Sequence, residues 1–271
     1  MKFDSNRAWK EASAAVSANR EVLFALAGVF FMLPSLAFAL LYPQPQAAPD
    51  MQPEQAMAMV QEFYLAALPW LIPITILQGA GTLALMALFT DRTRPTVGEA
   101  IRLGFAALVP YILAQLLFGL AVGGIGALII GLAAASGVMP LAVVLGIGVF
   151  GFAIYGLVRT ALSAPVIVVE GERNPVRALA RSWQITRGNA LRIFVFFLLL
   201  GIVALLVTGI ASGLIGIVAA LVAGPKGAEV AGAIVSSAFG AVITLYMVSV
   251  LASVHRQLAG GSPEAIGRTF E

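Results

Sequence analysis

Apolar residues run in six long blocks along this chain, at residues 22–42, 66–90, 104–134, 139–163, 191–223 and 231–254, with polar residues gathered between them. About 20 helical residues cross ~30 Å of hydrocarbon, and every block is at least that long. A soluble core has no use for six such blocks. The pattern therefore predicts an all-α, polytopic integral membrane protein with six transmembrane helices in three hairpins, as a single transmembrane domain over residues 1–271. The third and fifth blocks exceed a perpendicular crossing and must tilt, kink or project from the bilayer.

Charge orients the spans. Fifteen of the 16 Lys and Arg residues fall before the first block, after the second, around the gap that follows the fourth, and after the last. Only Lys226 lies in one of the other connections. Short Lys- and Arg-rich loops stay cytoplasmic, which predicts both termini inside, with a bacterial inner membrane as the simplest setting. Segregation of charge by side argues for anionic lipid headgroups as partners and against nucleic acid. Ala37-Phe38-Ala39 fits a signal-peptide cleavage pattern, but the apolar run before it is long and the first 21 residues hold Asp4, Glu11 and Glu21, which favours an uncleaved span. The mean hydropathy of +0.97 agrees with a membrane class.

Each hairpin is preceded by a basic amphipathic segment predicted to be a cytoplasmic surface helix, at about 4–20, 96–104 and 174–188, giving a layout that repeats every ~80–90 residues. In the third, Asn174 suits a cap, Pro175 the first turn and Gly188 the stop. Val176, Leu179, Ala180 and Trp183 form its apolar face, with Arg177, Arg181 and Gln184 on the other side. In the second, Thr96 and Glu99 make a capping box ahead of Val97, Ala100, Ile101 and Phe105. In the first, Asp4 or Ser5 caps a helix whose apolar face is Trp9, Ala12 and Val16. Arg173, Arg177, Arg181, Trp183 and Arg187 are the candidate headgroup-binding residues.

No charged residue or histidine falls in the middle third of a span, which weighs against proton-coupled carriers. The polar residues within spans predict interhelical hydrogen bonds; Gln78, Tyr111, Gln115 and Tyr155 are the candidates to line a cleft if the protein moves a substrate. Gly119, Gly123, Ala127, Gly131 and Ala135 repeat every four residues, and Gly209 and Gly213 do likewise, a spacing that predicts close helix packing. Pro34, Pro69, Pro73 and Pro110 should kink or open their helices. The outer connection, 43–65, reads as extended and then helical from 54.

Chemistry is sparse. There is no cysteine and one histidine, His255, with no carboxylate near it in sequence. Glu170 and Glu172 are the one tight acidic pair. Neither a catalytic constellation nor a metal or cofactor site is expected; an embedded enzyme would need Glu170, Glu172 and His255 in one pocket.

The stretch from Ala164 to Phe194 joins a proline-led apolar strip, an acidic residue, and a helix ending in Ser-Trp-x-hydrophobic-Thr-Arg-Gly-Asn. Through Pro165, Glu170, Ala178, Ser182, Trp183, Thr186, Arg187, Gly188 and Asn189 it resembles the membrane domains of some glycerophosphodiester phosphodiesterases and the related YciC-type inner-membrane proteins. In that family the catalytic barrel is separate and uses His-Arg-Gly; here His255-Arg256 is followed by Gln257, so the resemblance implies a stand-alone membrane domain and carries over no catalytic residue. The expected function is a non-enzymatic inner-membrane protein that binds lipid or a partner protein, or a further copy of itself, in envelope homeostasis. The alternative is a transporter or lipid-translocating protein.

Overall fold

The computed structural model describes residues 2–42, 45, 48, 51–90 and 95–260. Among them every regular element is helical and no strand occurs: α1 (Ser5–Ala18), α2 (Arg20–Ala27), a π turn (Gly28–Met32), α3 (Leu33–Leu41), α4 (Pro53–Thr90), α5 (Val97–Ala135), α6 (Met139–Thr160), α7 (Ser163–Val169), α8 (Pro175–Ile185) and α9 (Ala190–Ala259). Five helical stretches are long and apolar enough to cross a membrane: Arg20–Leu41, Pro53–Phe89, Val97–Ala135, Met139–Val169 and Ala190–Ala259. Their outward surfaces are apolar, with Leu120, Phe150, Leu205, Leu221 and Val222 all exposed. Water would penalise such a surface and lipid does not.

The last stretch is long enough for two spans. Its backbone leaves the helix at Gly224 (φ 70°, ψ −171°), a conformation open to glycine, and Pro225 follows. Ile193 before that break and Val250 and Val254 after it share one buried cluster, so Ala190–Ala259 cannot be a straight rod.

Two compact units form. Unit 1 holds Met1–Ala18, Leu83–Leu200 and Met247–Glu271. In it Ala8, Ala12 and Val16, spaced by four, bring the α1 backbone against the last helix, where Ser249 Oγ donates to the Ala12 carbonyl at 3.0 Å. Asp4 caps α1 through the Arg7 amide at 3.0 Å. Of the apolar face read as Trp9, Ala12 and Val16, the last two are buried and Trp9 is 41% exposed. The capping box forms, with Thr96 N–H donating to Glu99 Oε2 at 2.8 Å. No break follows it, so the second expected surface helix is simply the start of the 39-residue α5.

α5 packs on α6 through two glycines, though not those of the four-residue stripe. A Cβ on Gly126 would lie 2.6 Å from Val149 Cγ1, and one on Gly156 2.7 Å from Phe118 Cε2. Gly119, Gly123, Ala127, Gly131 and Ala135 face outward, and nothing lies within 4 Å of a Cβ placed on those three glycines. Gly209 and Gly213 are equally open. The packing seam needs a glycine only where a large partner, Val149 or Phe118, comes close.

Unit 2 holds Asn19–Thr82 and Gly201–Tyr246. Pro34 has no N–H for the Phe30 carbonyl; the chain answers with the π turn, in which the Leu33 N–H bonds back to the Gly28 carbonyl. Directly opposite, Gly81 meets Phe30. Pro69 and Pro73 are absorbed within α4, which also takes in the expected outer helix from residue 54. The first half of the outer connection lies mostly outside the described residues.

Candidate functional site

α8 is amphipathic in the expected sense, but its apolar side is not the side that docks on the protein. The buried side is Ala178, Ser182 and Thr186, each fully enclosed. Ser182 Oγ donates to the Arg159 carbonyl at 2.8 Å and accepts the Leu162 N–H at 3.1 Å. Thr186 Oγ1 donates to the Ser182 carbonyl at 2.8 Å and reaches the Arg159 carbonyl at 3.3 Å. These hydroxyls satisfy backbone groups where α6 ends, a place where helical carbonyls lack partners. On the other side, Val176 is 61% and Trp183 37% exposed. Asn174 caps the start, accepting from the Val176 and Arg177 amides at 3.0 and 3.2 Å. The Ser-Trp-x-x-Thr run is thus a splice of two kinds of residue: Ser182 and Thr186 hold the helix down, and Trp183 faces out.

The five candidate headgroup residues separate. Arg173 donates to the Ala106 carbonyl of α5 at 2.6 Å. Arg181 Nε pairs with Glu170 Oε2 at 2.9 Å, while His255, 4% exposed, meets Glu170 Oε1 at 3.0 Å. Partial burial pushes the Glu170 carboxyl up, but the hydrogen bonds from His255 and Arg181 outweigh it and hold the group below the usual carboxylate range. Glu170 and Glu172 share a shallow depression with Arg177 and Gln184. Glu172 accepts the Asn174 N–H at 2.9 Å, as a turn residue does. No group of three or more metal-ligating side chains gathers among the described residues.

Trp183 and Arg187 instead share a cavity of ≈ 560 Å³, wide open to the outside, with Tyr155, Arg159, Gly188, Ala190 and Leu191. Arg159 is 4% exposed, its guanidinium carbon 4.7 Å from the Trp183 ring centroid and 5.7 Å from that of Tyr155. Its Nε has no hydrogen-bond partner, and no carboxylate pairs with it among the described residues. Cation–π contact contributes about 0.5–2 kcal/mol, against a desolvation cost of several kcal/mol for a buried ion. The rings alone do not balance the charge. The sequence placed Arg159 among the basic flanking residues and gave it no role; its signal was Tyr155, one turn earlier on the same helix. The Glu170–His255 contact, between residues 85 apart, had no local signal at all.

The candidate cleft residues also divide. In α5, Gln115 Nε2 donates to Tyr111 Oη at 3.3 Å, so the two satisfy each other. Tyr155 packs edge-on to Trp183 at 5.6 Å. Gln78, in unit 2, donates to Ser35 Oγ at 3.1 Å and lines a cleft of ≈ 1170 Å³ with Thr75, Lys226, Glu229, Ser236 and Ser237.

Residues 8–258 match the DUF7847 family, described as a domain of unknown function, and the chain belongs to that family. No curated protein and no solved structure matches it.

Proposed function

We propose that this DUF7847 member is a non-enzymatic inner-membrane protein that binds anionic lipid headgroups along its basic cytoplasmic face. In this reading six spans form three hairpins, the sixth arising where α9 breaks at Gly224, and both termini are cytoplasmic. The observation that carries it is the orientation of α8: its protein-facing side is Ala178, Ser182 and Thr186, which leaves Val176 and Trp183 exposed beside Arg177 and Arg187. An amphipathic helix held this way sits its apolar side in the headgroup–acyl boundary and offers its arginines to phosphates. The likeness to phosphodiesterase membrane domains supports the same class.

Brominated lipids test it. In nanodiscs carrying the full chain with Trp9→Phe and Trp70→Phe, Trp183 should be quenched most by bromines placed near the headgroup. Equal quenching at every depth, or none, contradicts the reading.

A second reading, lipid translocation or transport, draws on the unit 2 cleft, where Gln78, Ser236, Ser237, Lys226 and Glu229 line the walls together with Phe38, Leu71 and Ile74. Flux of fluorescent lipid across proteoliposomes, lost in Gln78→Leu, supports it; flux equal to that of empty liposomes refutes it.

A further inference from the structure

The cavity beside Arg159 is built differently from the rest of the basic face, and we propose that it is a discrete site for one phosphate-type oxyanion. This inference rests on the headgroup-binding reading above and narrows it to a pocket and a ligand chemistry.

Three independent features converge there. Arg159 is a nearly enclosed cation whose Nε has no partner and which lines the cavity. Arg173 and Arg181 are paired with protein oxygens, so an enclosed arginine without one is an exception here. Arg187 supplies a second positive charge from the cavity rim. Third, Ala190 and Leu191, which also line the cavity, open α9, and its first amides have no carbonyl within the helix to bond. Asn189 precedes them at the cap position but does not cap: its side-chain oxygen accepts the Phe3 N–H at 2.9 Å. Gly188, at φ +79°, turns the chain into this start.

Guanidinium groups and free helix amides both favour a tetrahedral oxyanion, the former by charge and paired donors, the latter by dipole and direction. Trp183 and Tyr155 form the apolar wall against Arg159, and Trp183 is partly exposed beyond it. A phospholipid phosphate fits this arrangement, with its glycerol beside the indole; a free phosphate ester offers the same oxyanion from the aqueous side.

The test uses the full chain in maltoside detergent micelles, which carry no phosphate, with Trp9→Phe and Trp70→Phe, so that Trp183 reports on the ring against Arg159. Inorganic phosphate and short-chain phosphatidic acid are titrated separately. A saturable change in Trp183 emission is expected, weakened about tenfold or more by Arg187→Gln and by Arg159→Gln, with Arg159→Lys intermediate. Lys10→Gln, which removes an exposed charge outside the cavity and outside the headgroup candidates, should shift it less than about twofold. Saturation by phosphate alone supports the site and assigns it to soluble phosphate; saturation by the lipid alone supports it and assigns it to headgroups.

Arg187→Gln keeps the test valid if Arg159→Gln does not fold, because Arg187 is exposed. No saturable change with either probe, or the same affinity in Arg187→Gln and Arg159→Lys as in the parent, overturns the proposal. Depth-dependent quenching of Trp183 with no response to either probe would leave the general lipid reading standing and this site refuted.

Discussion

Arg173 donates its guanidinium to the Ala106 carbonyl at 2.6 Å, and Ala106 is the residue whose helical donor Pro110 takes away. In α5 the Ala106 carbonyl would accept the amide of residue 110, which proline lacks. An arginine from the segment before α8 fills the gap and ties that segment to α5. Arg256 acts similarly at the end of α4, where its Nη1 donates to the Phe89 carbonyl at 2.8 Å.

The pairing of Arg173 with a proline gap predicts a coupling. Arg173→Ala should cost about 1 kcal/mol in wild-type background. In Pro110→Ala the carbonyl regains its helical donor and the same substitution should cost much less. A double-mutant cycle by thermal unfolding in detergent measures the difference; equal costs in both backgrounds would mean the contact is incidental.

Ser182 satisfies two buried backbone groups at once. Ser182→Ala leaves the Leu162 amide and the Arg159 carbonyl with less, for an expected loss of about 1–3 kcal/mol. Trp183→Ala, one residue away but on the exposed side, should cost about 0.5–2 kcal/mol through its contact with Arg159 while weakening membrane contact. Comparing melts and membrane contact in the two variants separates the anchoring residue from the lipid-facing one.

The structure also ranks the glycines. Leucine at Gly81 would drive a Cβ to 2.5 Å from Phe30 Cβ and should cost about 1–3 kcal/mol or prevent folding. Leucine at Gly119, with nothing within 4 Å, should be tolerated. Comparable losses at both positions, read by size-exclusion profile and melting temperature, would contradict the packing described.

Acid should loosen unit 1. The Glu170 carboxyl is held below its unfolded value of about 4.5, so its contribution to stability is present above that pH and is lost as pH falls through the lower folded value. Glu11, bonded to Arg7 and Ser253, is shifted the same way against its own burial and adds to the slope. Melting curves from neutral pH down to about pH 3 should show Glu170→Gln flattening part of this dependence.

The helices and most caps were legible because they are local. Asn174, Asp4 and the Thr96–Glu99 box are written within four residues of where they act, and hydropathy marks each span. Partners were not legible. The four-residue stripe from Gly119 to Ala135 promised a contact that the chain makes instead through Gly126 and Gly156, because a stripe records the room available and not the neighbour that uses it. The apolar face of Trp9, Ala12 and Val16 divides for a related reason: apolar periodicity cannot tell a face buried in protein from one exposed to lipid. The docking side of α8 was not legible either, because alanine, serine and threonine carry little hydropathy signal. Glu170 with His255, and Arg159 against Trp183, are products of tertiary folding across 85 and 24 positions.

Native mass spectrometry of the full chain, released from mild detergent after exposure to mixed phosphatidylcholine and phosphatidylglycerol, tests the central claim most directly. The account predicts a retained anionic lipid at fixed stoichiometry, diminished when Arg177 and Arg187 are both changed to glutamine. A lipid-free ion, or phosphatidylcholine held as tightly as phosphatidylglycerol, would contradict it.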